Sequence, residues 1–208
     1  MPKANTPKQT VVKETSRTKE IFSWIIPILI GLAIAGGIKA FVFTRVRVDG
    51  PSMEPNLMNA EKVVAFKPAK VKHLSVIVFD AYGEDPSAKT HTNYVKRVIG
   101  LPGDRVTSKN GYIYVNNKKI SQSFISSAER TSGTGNWTLK SLSKQNGWGN
   151  GSTVVPKGKY FVLGDHRSVS NDSRYWGYVD QKKVLGVVKV PFWTSTSTKR
   201  HNVNALSY

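Results

Sequence analysis

Apolar positions along this chain fall into two rhythms. Residues 21–38 run for 18 positions without a charge, and beyond Lys39 the apolar text resumes as Ala40-Phe41-Val42-Phe43. A run of that length with no polar face predicts a membrane-spanning helix over 21–43, with Lys39 snorkelling at its far edge. The chain then changes to short runs of β-branched and aromatic residues at 45–48, 63–66, 75–79, 94–99, 112–115, 118–120, 159–163 and 184–190. Their spacing, with no helices alternating between them, predicts an antiparallel sheet rather than a parallel one. Asn116-Asn117 marks a hairpin turn. Residues 121–153 are softer, with Ser, Thr, Asn or Gly at 20 of 33 positions. Within them Leu139 and Leu142 fit one side of a short helix that Gly147 ends. The expected fold is mainly β: an antiparallel β-sheet domain anchored by one N-terminal transmembrane helix. Its parts are a basic tail at 1–20, the span at 21–43, the β domain at 44–193 with a variable polar insertion at 121–153, and a polar C-terminal tail at 194–208.

Two other readings of the apolar stretch compete with a permanent anchor. A cleavable signal peptide would use Ala33-Ile34-Ala35-Gly36-Gly37 as its cleavage segment, but its apolar region would be shorter. A buried soluble helix fits poorly with Pro27, three glycines and no polar face. Five basic residues precede the span, which places the N-terminus in the cytoplasm and the β domain outside.

Charge then narrows the partners. The chain carries a formal net charge of +18, and residues 21–208 keep 26 basic against 11 acidic side chains. Nucleic acid is scarce outside the membrane, and no basic-aromatic reading motif is present. Anionic lipid headgroups or a polyanionic envelope account better for the charge. There is no cysteine, and the four histidines, His73, His91, His166 and His201, stand at no familiar metal spacing.

Three stretches carry candidate chemistry. In Tyr94-Val95-Lys96-Arg97-Val98-Ile99, closed by Gly100-Leu101-Pro102-Gly103-Asp104, alternation puts Lys96 on the face of Tyr94 and Val98, with Arg97 opposite. Both cations could sit on a solvated edge. Alternatively Lys96 is buried and neutral, and acts as a general base. A free lysine is neutral in only about one molecule in 2,500 at pH 7, and lowering its pKa to about 8 costs about 3 kcal/mol. In Gly50-Pro51-Ser52-Met53-Glu54-Pro55, two prolines fix the backbone on either side of Ser52 and aim its hydroxyl. The third stretch, residues 164–174, sets Asp165, His166, Ser170, Asp172 and Arg174 directly after a strand.

Together these stretches resemble the bacterial type I signal peptidases, membrane-bound serine proteases with a Ser/Lys dyad. The resemblance runs from the span to about Val190 and keeps the family order: span, GPSMEPNL, a strand, YVKRVIGLPGD, a variable region, VPKGKYFVLGD and SxDSR. It implies that Ser52 is the nucleophile and Lys96 the general base. It also implies that Ser170 hydrogen-bonds the lysine amine, that Asp172 and Arg174 support the site, and that Met53, Tyr94 and Val95 line small-residue substrate pockets. Neither metal nor cofactor is implied. The substrates would be secretory preproteins, cut after a small-x-small site by an extracytoplasmic β catalytic domain resting on membrane lipid.

Three departures from the family pattern bear on the site. Gly50 stands where some members have a serine that holds the oxyanion, which leaves the second donor open. Leu74-Ser75 replaces the usual Gly-Asp. His166 replaces the usual asparagine and raises a rival, with His166 as base and Asp165 as its orienter. A non-enzymatic basic module and a self-cleaving regulator are further alternatives; the regulator would need a DNA-binding head that a 20-residue tail cannot supply.

Overall fold

The computed structural model describes residues 17–149, 151–193 and 195–206. The chain divides after Ala40 into two units. The described part of the first lies in helix α1, Arg17–Val42, in which Ile21–Lys39 has a mean hydropathy of 2.3. At about 1.5 Å per residue those 19 residues measure about 28 Å, close to the hydrocarbon thickness of a bilayer. Their large apolar side chains are exposed, from 41% at Ile25 to 74% at Trp24. Of the basic tail expected at 1–20, residues 17–20 open this helix and the rest lies outside the described residues.

The second unit is built from antiparallel strands. In chain order they are β1 (Phe43–Arg47), β2 (Lys62–Phe66), β3 (Val76–Asp80), β4 (Asn93–Gly100), β5 (Val106–Lys109), β6 (Tyr112–Val115), β7 (Lys118–Lys119), β8 (Trp137–Thr138), β9 (Lys159–Leu163), β10 (Val179–Asp180) and β11 (Val184–Lys189). They form a seven-stranded sheet ordered β1-β2-β11-β3-β4-β9-β10 and a four-stranded sheet ordered β7-β6-β5-β8. The β5, β8 and β10 strands were not expected. Each is four residues or fewer and offers too little alternation to register in a sequence.

The position of β4 decides what becomes of its two cations. It pairs with β3, setting Lys96 opposite Ile77 and Arg97 opposite Val76, and with β9 on its other side. One face of the large sheet packs Ile77, Phe79, Val98 and Val162 together, and the other packs Val76, Val78, Val95 and Met53. A central strand covered on both faces leaves no solvated side for a charge, so Lys96 and Arg97 are both buried.

The described part of the insertion, residues 121–149 and 151–153, contains regular structure. Helix α2 (Leu139–Asn146) buries Leu139 and Leu142, and a capping box pairs Thr138 with Ser141 at its start. Gly147 ends it at φ 69°, as the sequence suggests. The two short helices that follow are α3 (Ser173–Trp176) and α4 (Ser197–Arg200). The polar tail expected from Thr194 onward needs correction over its described part. Residues 195–206 form α4 and a further helical turn, His201–Ala205, and bury Val203 in the core with Met53, Leu57 and Val95. Polar composition hid a segment anchored by Val203, Leu206 and the side-chain amides of Asn202 and Asn204.

Candidate active site

The turn after Val48 presents Ser52. Gly50 adopts φ 83°, which a residue with a Cβ rarely does, and it starts a compact turn closed by Glu54 N–H to Pro51 O at 3.0 Å and Leu57 N–H to Met53 O at 2.9 Å. Met53 and Leu57 anchor the turn in the core with no exposed surface, while Ser52 stays half-buried. Its Oγ lies 2.7 Å from Lys96 Nζ. The two residues that the sequence singled out thus meet, although they are 44 positions apart.

Lys96 is 5% exposed, and its pKa is lowered to about 8. Burial is the main cause; Asp172, Asp85 and Asp165 pull the value up, and Arg174 pushes it down. The amine also lies 5.3 Å from the centre of the Tyr94 ring. Tyr94 donates its hydroxyl to Asp85 Oδ2 at 2.9 Å, and Asn171 Nδ2 donates to the same oxygen at 2.7 Å. Asp85 is buried and belongs to the site's electrostatics, yet nothing in its surroundings, Gly83-Glu84-Asp85-Pro86, distinguishes it from a turn residue.

The loop after β9 closes on Ser52 from the other side. The backbone N–H of His166 donates to Ser52 O at 3.1 Å. Gly164 lies so close that a Cβ there would fall 2.4 Å from Ser52 O and 2.2 Å from Ser170 Oγ. Gly164→Ala is therefore expected to push the two loops apart. A displacement of about 1 Å at a reacting group costs about 10²-fold in rate, which steady-state cleavage of a preprotein would measure.

Asp172 and Arg174 tie this loop together. Asp172 caps α3, accepts Gly164 N–H at 3.0 Å, and binds Arg174 through Nε at 2.8 Å and Nη2 at 2.9 Å. Arg174 also donates to Gly133 O and Arg167 O. Ser170 is the exception: it is buried beside Gly164, but its Oγ has no hydrogen-bond partner, so the expected bond to the lysine amine is not formed in this structure. Met53 and Val95 lie in the core behind the site, and of the three expected pocket residues only Tyr94 reaches the surface.

Sequence alternation missed a buried network behind the dyad. Arg97 and Asp165 are both fully buried and pair through two bonds, Nε to Oδ1 at 2.8 Å and Nη2 to Oδ2 at 2.7 Å. Arg97 Nη1 donates to Leu74 O at 2.9 Å, and its guanidinium stacks 4.1 Å from the centre of the Phe124 ring. Asn56, four residues after Ser52, donates to Asp165 Oδ2 at 2.8 Å and to Phe124 O at 2.7 Å. From the insertion, Gln122 and Thr134 accept from Arg167. The insertion thus packs against the network behind the dyad. Leu74, which stands where the family usually has glycine, holds φ 64°. This is a left-handed conformation that costs a residue with a Cβ about 1–2 kcal/mol, offset here by burial of its side chain.

The same contacts leave the His166 rival without its orienter. Asp165 is spent on Arg97 and Asn56, while the His166 ring lies 3.3 Å from Pro51 O and 3.6 Å from Glu129 Oε1. Gly50 N–H, one possible oxyanion donor, is already bonded to Asn59 Oδ1 at 3.0 Å.

A half-buried serine hydroxyl held by a buried amine on a rigid strand is the arrangement of a serine hydrolase. Residues 21–193 match the family described as signal peptidase, peptidase S26. Signal peptidase IB of Staphylococcus aureus strain COL is 39% identical over 194 residues, covering 89% of this chain and 96% of that protein. Signal peptidase I of Bacillus licheniformis is 33% identical over 189 residues, covering 88% and 95%. The crystal structure of a signal peptidase I from Enterococcus faecalis is 36% identical, with a TM-score of 0.48 over 57% of this chain and 97% of that one. The chain belongs to the peptidase S26 family.

Proposed function

We propose that this protein is a membrane-bound serine endopeptidase that removes N-terminal signal peptides from secreted preproteins, with Ser52 as nucleophile and Lys96 as general base. The observation that carries this reading is the 2.7 Å contact between Ser52 Oγ and a buried Lys96 Nζ. With a pKa of about 8, Lys96 is neutral in about one molecule in ten at pH 7, enough to act as a base. The neutral amine takes the Ser52 proton as Oγ attacks the scissile carbonyl. The Ser52 amide helps to hold the oxyanion. Lys96 then returns the proton to the departing amine, leaving an acyl-enzyme that a water molecule, deprotonated by the same lysine, hydrolyses.

Shallow apolar pockets bordered by Tyr94 and floored by the buried Met53 and Val95 would admit only small side chains on the acyl side of the bond, giving the small-x-small preference. Five basic residues ahead of the α1 span put the N-terminus in the cytoplasm and the β unit on the outer face. There a preprotein's apolar segment sits in the same bilayer and its extended cleavage segment lies along a strand edge. The names of the curated relatives support this substrate class.

The test is incubation of the detergent-solubilised protein with a radiolabelled preprotein, read as appearance of the mature-sized product. The rate is expected to rise as pH passes through about 8, the direction in which a lowered lysine becomes neutral. An acid optimum would count against the lysine as base.

A further inference from the structure

The family match ends at residue 193, yet the segment beyond it reaches the network behind the dyad. We propose that residues 195–206 are a positioning element of the catalytic centre and that Asn202 is its working residue; this rests on the Ser52/Lys96 reading.

The segment is fastened at several points before it arrives there. Thr196 caps α4 by accepting Lys199 N–H at 3.2 Å, and Lys199 Nζ bonds Glu61 Oε2 at 2.5 Å. Asn204 imitates a strand partner for the end of β11: its Oδ1 accepts Val190 N–H at 2.9 Å and its Nδ2 donates to Val190 O at 2.9 Å. Val203, 3% exposed, fills the core beside Met53.

Between these anchors Asn202 makes two contacts that bear on the site. Its carbonyl accepts from Arg97 Nη1 at 2.9 Å, and its Nδ2 donates to Asn56 Oδ1 at 2.8 Å. The second bond determines which way round the Asn56 amide sits. With Oδ1 committed to Asn202, the NH2 group points at Asp165 Oδ2 and Phe124 O. Asn56 is 3% exposed, so no water replaces a lost partner. Each residue in this set neighbours one that aligns the dyad. Asn56 lies within the Ser52 turn, Arg97 follows Lys96 on β4, and Asp165 precedes the His166 amide that holds Ser52 O. One amide and one carbonyl from this segment therefore join the three pieces of chain that must hold Oγ and Nζ together. Asn202 touches neither reacting atom and acts through Asn56 and Arg97.

The experiment uses the full chain in detergent and compares Asn202→Ala with Asn202→Asp. The second keeps the side chain's shape but turns an oxygen toward Asn56 Oδ1, so it separates a lost hydrogen bond from lost packing. Both are expected to lower kcat about 10-fold with KM unchanged, because alignment of Ser52 and Lys96 is lost while the substrate pockets stay intact. Melting followed by circular dichroism confirms that each variant is folded at the assay temperature. A wild-type kcat in both variants overturns the proposal, whether or not their melting points fall, since Asn202 would then serve stability alone. So does a rise in KM at constant kcat, which would assign the segment to substrate binding. Ser52→Ala is run alongside: if it cleaves normally the dyad reading itself fails, whereas a dead Ser52→Ala beside fully active Asn202 variants defeats only this inference.

Discussion

Ser52→Ala and Lys96→Ala are each expected to abolish preprotein cleavage, with losses of ~10⁴- to 10⁶-fold in kcat. In the proposed mechanism the hydroxyl without the amine is a poor nucleophile, and the amine without the hydroxyl has nothing to activate. The two act as one unit, so the double variant should be no worse than either single one. Lys96→Arg should fail as completely, because a guanidinium stays protonated and cannot accept the serine's proton. His166→Ala should stay active, since that ring contacts Pro51 O and Glu129 rather than Ser52 Oγ. Purified variants incubated with a labelled preprotein in detergent provide the measurement. Near-normal turnover by Lys96→Ala would sink the dyad.

The largest effect on stability is expected from Asp165→Ala. It would leave the Arg97 guanidinium fully buried with two of its donors unpaired, a loss of about 3–5 kcal/mol when one partner of a buried pair is removed. For a unit of this size that corresponds to a melting temperature lower by roughly 6–20 °C. Replacing both partners, Arg97→Met with Asp165→Leu, should recover much of the loss, because the cost lies in the orphaned charge rather than in the missing bond. Thermal unfolding of the single and double variants separates the two. A single variant that melts with the wild type would mean that water or another acid reaches Arg97.

The contrast between Lys96 and Arg97 shows what a sequence can and cannot carry. Lys96 stood out because an apolar strand and a tight turn flanked it, and Ser52 because two prolines framed it. Arg97 occupied the same strand, but whether the face opposite Lys96 is wet or dry depends on what packs over it. That cover comes from Phe124, Asp165 and residue 202, which lie far away in the chain. Asp165 was legible only as a neighbour of His166, and its commitment to Arg97 is a tertiary fact. The Asp172–Arg174 pair was readable because its two members stand two positions apart and share one helix start. The same locality made the C-terminal end of α2 visible at Gly147. It failed for residues 195–206, whose anchoring rests on Val203 and amide side chains that resemble a solvated tail.

The burial of Lys96 also makes activity and folding depend on one proton. In the unfolded chain this amine titrates near its usual 10.5, and in the folded protein near 8, so between those values unfolding takes up a proton. Folding stability therefore rises with pH across that interval, by about 3 kcal/mol when complete, and below about 8 the full penalty of a buried ammonium is in force. The alkaline conditions that free the base for catalysis are thus the ones under which this residue least opposes the fold.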